Sequence, residues 1–403
     1  MNKRVVIFNS YDYGSTGTLC SALKNEKLGF DKTIFVCSDK RNSNSADYYL
    51  YEHCSKVYRY LLGKKAYFLC RYGFLGKRIT RKCLRYLHKN IDFSSQKVAF
   101  NLHQLESSYF DLEEIIKFAK RHQIKVFITL HDCWIFTGKC PHYQISKCNK
   151  WMNSGCYRCD YNKAFPPSFS KRIAKAFVKK IDILNSYSKN IVYVCPSSWI
   201  DRELNNSMLK ITKSVVINNG IKISDFIPAN SNNNKKIHLL CVSNEWTVGK
   251  GVEYIEYISN ELDYDRFSLT VIGNKNRFFK NITPNNKATF IDRLEKTDLF
   301  KLYPSFDYLI NPTLEDNFPT INIEALSYGL KVVTFNTGGS PEIIDHTTGI
   351  ICGEKTKESL FEVIMGLSKN TDRKKCFERA LTLYSDEIFI ESYYNLFDDE
   401  MDK

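Results

Sequence analysis

Eight short, largely apolar runs recur along the chain, and they limit its folds more than any other feature: Val5–Phe8, Val98–Leu102, Val126–Leu130, Ile191–Cys195, Ile237–Val242, Leu269–Ile272, Tyr308–Ile310 and Val332–Phe335. Runs of this length without alternation are expected of parallel strands covered on both faces. The segments between them, such as Leu112–His122 and Val252–Leu262, space their apolar residues as amphipathic helices do. Strand and helix in turn predict an α/β fold. With 403 residues and 43% apolar content the chain exceeds one ordinary core, so two doubly wound domains are expected. Aromatic content of 14% excludes a largely disordered chain.

The polar stretch Asn219–Lys236, with Asn230–Asn234 at its centre, is where the two domains are expected to part. The expected layout is a first domain over 1–214 with a Cys-rich loop at 133–160, a second over 215–380, and a C-terminal helix over 381–403 returning to the first. Tyr393–Phe397 is apolar enough to dock, whereas Asp398–Lys403 is expected to be loose.

Net charge is +14, and from Lys56 to Lys89 there are Lys56, Arg59, Lys64, Lys65, Arg71, Lys77, Arg78, Arg81, Lys82, Arg85 and Lys89 without one Asp or Glu. Interleaved aromatic and leucine residues make this block a candidate for an anionic membrane surface, with a solvated helical face as the alternative. Nucleic acid is not expected, because no recognition motif accompanies the charge. No apolar run is long enough to span a bilayer, and Val5–Phe8 reads as a strand rather than a signal-peptide core, so a cytoplasmic protein is expected, peripheral at the inner membrane face.

Candidate chemistry concentrates between Glu315 and Pro341. A strand is expected to end near Pro312, and a helix to begin at Pro319 or Thr320, where proline suits a first turn. The free N–H groups of that turn, with Glu315 or Asp316 before it and Glu324 inside the helix, suit a ligand rich in hydroxyls and phosphate. Asn336–Glu342 holds Gly338 and Gly339, Ser340 as a candidate cap and Pro341 in a second helix start, which predicts an anion cradle. Upstream, Lys250 stands between Gly249 and Gly251 after a strand and suits a departing diphosphate. In the first half, Gly14-Ser15-Thr16-Gly17 follows the first strand and His131 ends another.

These pieces resemble the retaining glycosyltransferases of family 4, which have the GT-B fold, two Rossmann-like domains facing an interdomain cleft. The resemblance rests on Gly14–Gly17, His131-Asp132-Cys133-Trp134-Ile135-Phe136-Thr137-Gly138, Pro196–Trp199, Ile217–Ile221, Lys250-Gly251, the acidic pair and Gly338–Glu342, in the family's order. It implies transfer of a sugar from a nucleotide-diphosphate donor to a glycan acceptor, polyprenyl-diphosphate-linked, in capsular, exopolysaccharide or lipopolysaccharide synthesis. It further implies that Glu324 binds the ribose, and that Asp316 with the loop at Asn317, Phe318 and Pro319 holds the sugar. Lys250 would meet the diphosphate, His131 would lie by the departing phosphate, and no metal would be required for catalysis. Two departures stand. The family's acids are two glutamates eight apart, but Asp316 is eight before Glu324 and Glu315 nine, which leaves open which one serves. The family's arginine before the lysine is missing, with Asn244 and Glu245 in its place and Arg293 a remote substitute. An epimerase of the same fold, or a non-catalytic module binding membrane or nucleic acid, is the alternative.

Cys140, Cys148, Cys156 and Cys159, with spacing C-x7-C-x7-C-x2-C, predict a structural zinc site, with four ordinary thiols as the alternative.

Overall fold

The structure, a computed structural model, describes residues 3–24, 32–39, 45–50, 74–105, 110–163, 168, 170–227, 235–274, 287–369 and 372–403. Two units form: Met1–Ile217 with Phe389–Lys403, and Asn218–Ile388. The division falls just after the expected 214, and the chain returns to the first unit at Phe389 rather than at 381. Asn230–Asn234 lies outside the described residues.

In the first unit, strands β1 (Lys3–Tyr11), β2 (Lys32–Asp39), β3 (Tyr48–Tyr49), β4 (Lys97–Leu102), β5 (Lys125–Thr129), β6 (Ile191–Cys195) and β7 (Ser214–Val216) form a parallel sheet in the order β3-β2-β1-β4-β5-β6-β7. Its helices are α1 (Gly14–Leu23), α2 (Phe74–Asn90), α3 (Leu112–Arg121), α4 (Lys150–Asn153), α5 (Ser170–Asn185) and α6 (Ser198–Asn205). Successive β1 side chains enter opposite cores, Val6 and Phe8 on one face, Val5 and Ile7 on the other. That double burial is why the strand reads as an unbroken apolar run.

The second unit holds β8 (Ile237–Glu245), β9 (Phe267–Asn274), β10 (Thr289–Ile291), β11 (Tyr308–Asn311), β12 (Lys331–Phe335) and β13 (Gly349–Cys352) in the parallel order β10-β9-β8-β11-β12-β13. Its helices are α7 (Val252–Glu261), α8 (Lys296–Leu302), α9 (Thr320–Ser327), α10 (Ser340–Ile343), α11 (Lys357–Met365) and α12 (Arg373–Tyr384). In both units the strand order reverses once, between β1 and β4 and between β8 and β11. Ligands of doubly wound sheets bind outside the strand ends at such reversals.

The last helix, α13 (Asp386–Asp402), packs its Phe389, Tyr393 and Phe397 into the core around Val5, Ile7 and Phe127. The C-terminal residues, expected to be loose, continue this helix instead. Asp398 and Asp402 pair with Lys3 at 2.5 and 2.7 Å, Asp402 also with Lys97 at 2.9 Å, and Glu400 with Lys125 and Lys213 at 3.0 and 2.6 Å.

The basic block needs a similar revision. Lys56, Arg59, Lys64, Lys65 and Arg71 lie outside the described residues. On α2, Ile79, Cys83, Leu84 and Leu87 are buried in the unit's own core, so the described apolar face is not offered to a membrane. Lys77 and Arg81 pair with Glu113 and Glu114 of α3 at 2.9 and 2.7 Å, which neutralises part of the block. Among the described residues, no helix is long and apolar enough to cross a membrane.

Candidate functional site

In the second unit, the β8 and β11 loops meet at the strand-order reversal. After β8 the chain makes a short 3-10 turn, Val248–Lys250, capped by the Thr247 side chain, which accepts from the Lys250 N–H. The Gly249 carbonyl accepts from the backbone of Leu314 at 2.8 Å and from the Thr313 hydroxyl at 3.1 Å, which fastens the turn to the acidic loop. Gly251 has φ +76°, and a Cβ there would stand 2.2 Å from the Pro312 carbonyl oxygen, so only glycine fits. The result is an ion pair between Lys250 Nζ and Asp316 Oδ2 at 2.7 Å, with both side chains partly open to solvent. Glu315 lies against the same turn: a Cβ on Gly249 would be 3.2 Å from its Oε2. Both candidate acids therefore border the lysine turn, and Asp316 is the one paired with Lys250.

Helix α9 starts at Thr320, with Pro319 the extended residue just before it rather than a member of its first turn. Phe318 is buried in the core beside Tyr384, and Asn317 and Pro319 are buried too, so these residues shape the loop from within. Glu324 is also buried and pairs with Lys296 Nζ of α8 at 2.9 Å. Behind it, Tyr303 and Tyr328 stack at 5.1 Å.

The glycine loop departs from the expected anion cradle. Gly339 N–H donates to the Asn317 carbonyl at 2.9 Å, while Thr337 and Ser340 N–H groups donate to Phe335 and Thr337 at 2.8 and 3.0 Å. Those amides are occupied by the chain itself. Gly338, with φ +54°, has a different task, since a Cβ there would lie 1.7 Å from the Asp316 carbonyl oxygen. Glycine lets this loop press against the acidic loop and set its path. Gly339 rather than Ser340 is the cap of α10, and Pro341 sits in its first turn.

In the first unit, the turn after β1 and the ends of β4 and β5 come together. A Cβ on Gly17 would be 2.5 Å from the Asp12 carbonyl carbon, so Gly17 serves the seating of α1 on its own loop, whereas the space beside Gly14 is open. Thr16 Oγ1 donates to Gln104 Oε1 at 3.2 Å, and the Gln104 N–H donates to Asn9 Oδ1 at 3.0 Å. Next to Gln104, His103 Nδ1 lies 2.8 Å from His131 Nε2. The Asn101 amide donates to His103 Nε2 at 2.9 Å, so the His103 proton is on Nδ1 and is donated to His131, whose own proton is then on its Nδ1. Thr129 Oγ1 extends the network, 3.3 Å from Asn101 Oδ1 and 2.8 Å from Tyr393 OH. Burial lowers the pKa of His131 to about 4, and burial with the His131 charge holds His103 well below the usual histidine value. Both imidazoles are neutral near pH 7. They line a cavity of about 20 Å³ with Asp132 and Trp134.

Asn101, His103 and Lys296 were not among the sequence candidates. A signal for the first two was present: Asn101 and His103 interrupt the apolar pattern at the carboxyl end of β4, where a doubly wound sheet places its ligand. Arg293, offered as a substitute for the missing arginine, is exposed in the loop after β10. Cys140, Cys148, Cys156 and Cys159 line one cavity.

Residues 236–370 match the family model described as "Glycosyl transferases group 1". A protein of Escherichia coli (strain K12) named as a colanic acid biosynthesis glycosyl transferase, WcaC, is 23% identical over 331 residues, 77% of this chain and 78% of its own. Among solved structures, sucrose-phosphate synthase from Thermosynechococcus elongatus superposes with TM-score 0.67 at 12% identity, covering 99% of each chain. Anabaena HepE in complex with UDP-glucose gives TM-score 0.63 at 11% identity over 98% of this chain and 99% of its own.

Proposed function

The chain is a glycosyltransferase of GT-B fold with a group 1 domain over residues 236–370, and from that premise we propose that it transfers a sugar, with retained configuration, from a nucleotide-diphosphate donor to a glycan acceptor in polysaccharide synthesis. The observation that carries this reading is the Lys250–Asp316 pair held at the carboxyl ends of β8 and β11. Lys250 presents a cation where a diphosphate would leave, and preorganised charge at that point is worth most in a transition state that develops negative charge on the leaving group. Asp316 accepts from sugar hydroxyls, and Glu324, held by Lys296, accepts from the ribose. In the first unit, His131 is neutral and is held in one tautomer by the His103 Nδ1–H. In this reading Lys250 does this work and no catalytic metal is required.

The acceptor in this reading is a glycan on a polyprenyl-diphosphate carrier at the inner membrane face. The relative WcaC, named for colanic acid biosynthesis, favours a polysaccharide acceptor. The exposed basic residues of α2, Arg78 and Arg85, favour an anionic carrier.

The test is release of nucleoside diphosphate from a panel of nucleotide sugars, with UDP-glucose first because HepE was solved with it. Turnover that requires a lipid-linked glycan supports transfer. Conversion of donor alone to an isomeric nucleotide sugar marks an epimerase instead, and donor binding without turnover under any acceptor marks a non-catalytic module.

A further inference from the structure

We propose that Cys140, Cys148, Cys156 and Cys159 bind one structural zinc ion that staples the loop between β5 and α5. From Leu130 to Lys163 the only regular element is the four-residue α4. An irregular segment of this length within a compact unit needs anchors. Some are visible: Trp151 is buried against Phe136 and Tyr143 at 4.9 and 5.1 Å, and Lys180 Nζ donates to the Thr137 and Trp134 carbonyls.

The four cysteines supply another. They line one cavity of about 20 Å³, which has room for a single small occupant. None of the four is in a disulfide. The turn bearing the last two runs through the left-handed region at Gly155, Cys156 and Arg158, with φ of 64°, 56° and 47°. This unfavourable backbone is retained where both thiols of the C-x2-C pair are brought to the cavity wall.

The remaining lining selects the metal and offsets part of the charge of its site. No carboxylate or imidazole lines the cavity, so the donor set is all sulfur, which suits zinc and excludes calcium and magnesium. Four thiolates around a divalent ion leave two negative charges; the buried Lys139 lines the cavity, as does Lys150, whose ammonium also pairs with Asp160 at 2.5 Å. As the side chains stand, no three of these sulfurs lie within 4.8 Å of one another, because the only such group of possible ligands among the described residues is Asp111, Glu113 and Glu114. Ligation therefore requires the thiols to draw closer together and release their protons to the solvent.

The experiment uses the full chain, purified without chelator, and measures zinc by mass spectrometry of the metal. The expected content is ~1 zinc per chain, falling to about a tenth or less in the Cys156→Ser/Cys159→Ser variant, with cobalt replacement giving thiolate-to-cobalt charge-transfer absorption. Should the double variant not fold, the cobalt spectrum of the unaltered chain decides alone. Folded protein with little zinc and no such absorption overturns the proposal. So does zinc retained in full by a folded double variant, or two disulfides among the four cysteines in unreduced protein.

Discussion

Lys250 and Asp316 hold each other at 2.7 Å, so a bound donor must take over part of that pairing. Removing the lysine is expected to lower kcat by ~10²–10³, the usual loss when one preorganised charge stabiliser is removed. The two neighbouring acids separate by the same logic. Asp316→Asn is expected to reduce kcat/KM by at least ~10², whereas Glu315→Gln stays within a few-fold; the reverse ranking in steady-state assays would show that the longer glutamate holds the sugar. The histidine pair gives a prediction in pH. Because the folded pKa of His131 is about 4 and that of His103 is also depressed, the unfolded chain takes up protons below about pH 6.5 that the folded chain does not. Their contribution is unchanged above that pH and turns against the fold as pH falls, by up to ~1.4 kcal/mol per pH unit per histidine. Urea midpoints between pH 7 and 4.5 should show the slope, and it should flatten in His103→Gln/His131→Gln; an unchanged slope defeats the argument. Lys250, Asp316 and Glu324 could be found from sequence because each stands beside its own strand end or helix start. The His103–His131 and Lys296–Glu324 pairs each join residues 28 apart in sequence, and only the fold brings them together.

Among the elements, α13 depends most on partners distant in sequence. The Glu400 carboxylate is buried, which alone would raise its pKa, but hydrogen bonds from Lys213, Lys403 and Lys125 outweigh this and lower it to about 2. That stability is present above the ordinary glutamate pKa and is lost as pH falls through about 2. Glu400→Ala leaves Lys125 and Lys213 without this shared partner and is expected to lower the first unit's Tm by several degrees at pH 7, read by thermal melts. Tyr393→Ala should cost about 3–5 kcal/mol, since it opens a cavity under the sheet and removes the Thr129 hydroxyl's 2.8 Å partner. The docking of Tyr393–Phe397 was visible in its apolar pattern. The ordering of the last residues was not, because Lys3, Lys97, Lys125 and Lys213 enter from four different strands or strand edges. Strand legibility follows the same division. The eight runs that announced themselves are largely buried on both faces, while β7, β10 and β13 are short edge strands with exposed positions; the Ile34–Cys37 run of β2 is as apolar and as long as Val5–Phe8 and carried the same signal.

At the scale of the whole molecule, two units with separate cores are expected to respond separately to ligand. The proposed contacts to the nucleotide, Lys250 and Glu324, both lie in Asn218–Ile388, whereas α13 and its ion pairs stabilise the first unit. A nucleoside diphosphate that binds only the folded second unit adds RT ln(1 + [L]/Kd) to it, ~2.7 kcal/mol at a hundredfold excess over Kd. Hydrogen exchange should resolve this by region. Added UDP is expected to slow exchange in Val248–Lys250 and Thr313–Leu326 and to leave β1 and β4 near their unliganded rates. The Lys250→Ala/Glu324→Ala variant should abolish that protection without altering exchange in the first unit. Equal protection of both units in the variant and the unaltered chain would mean that the nucleotide is held somewhere other than the reversal between β8 and β11. The donor assignment would then fail even though the fold stands.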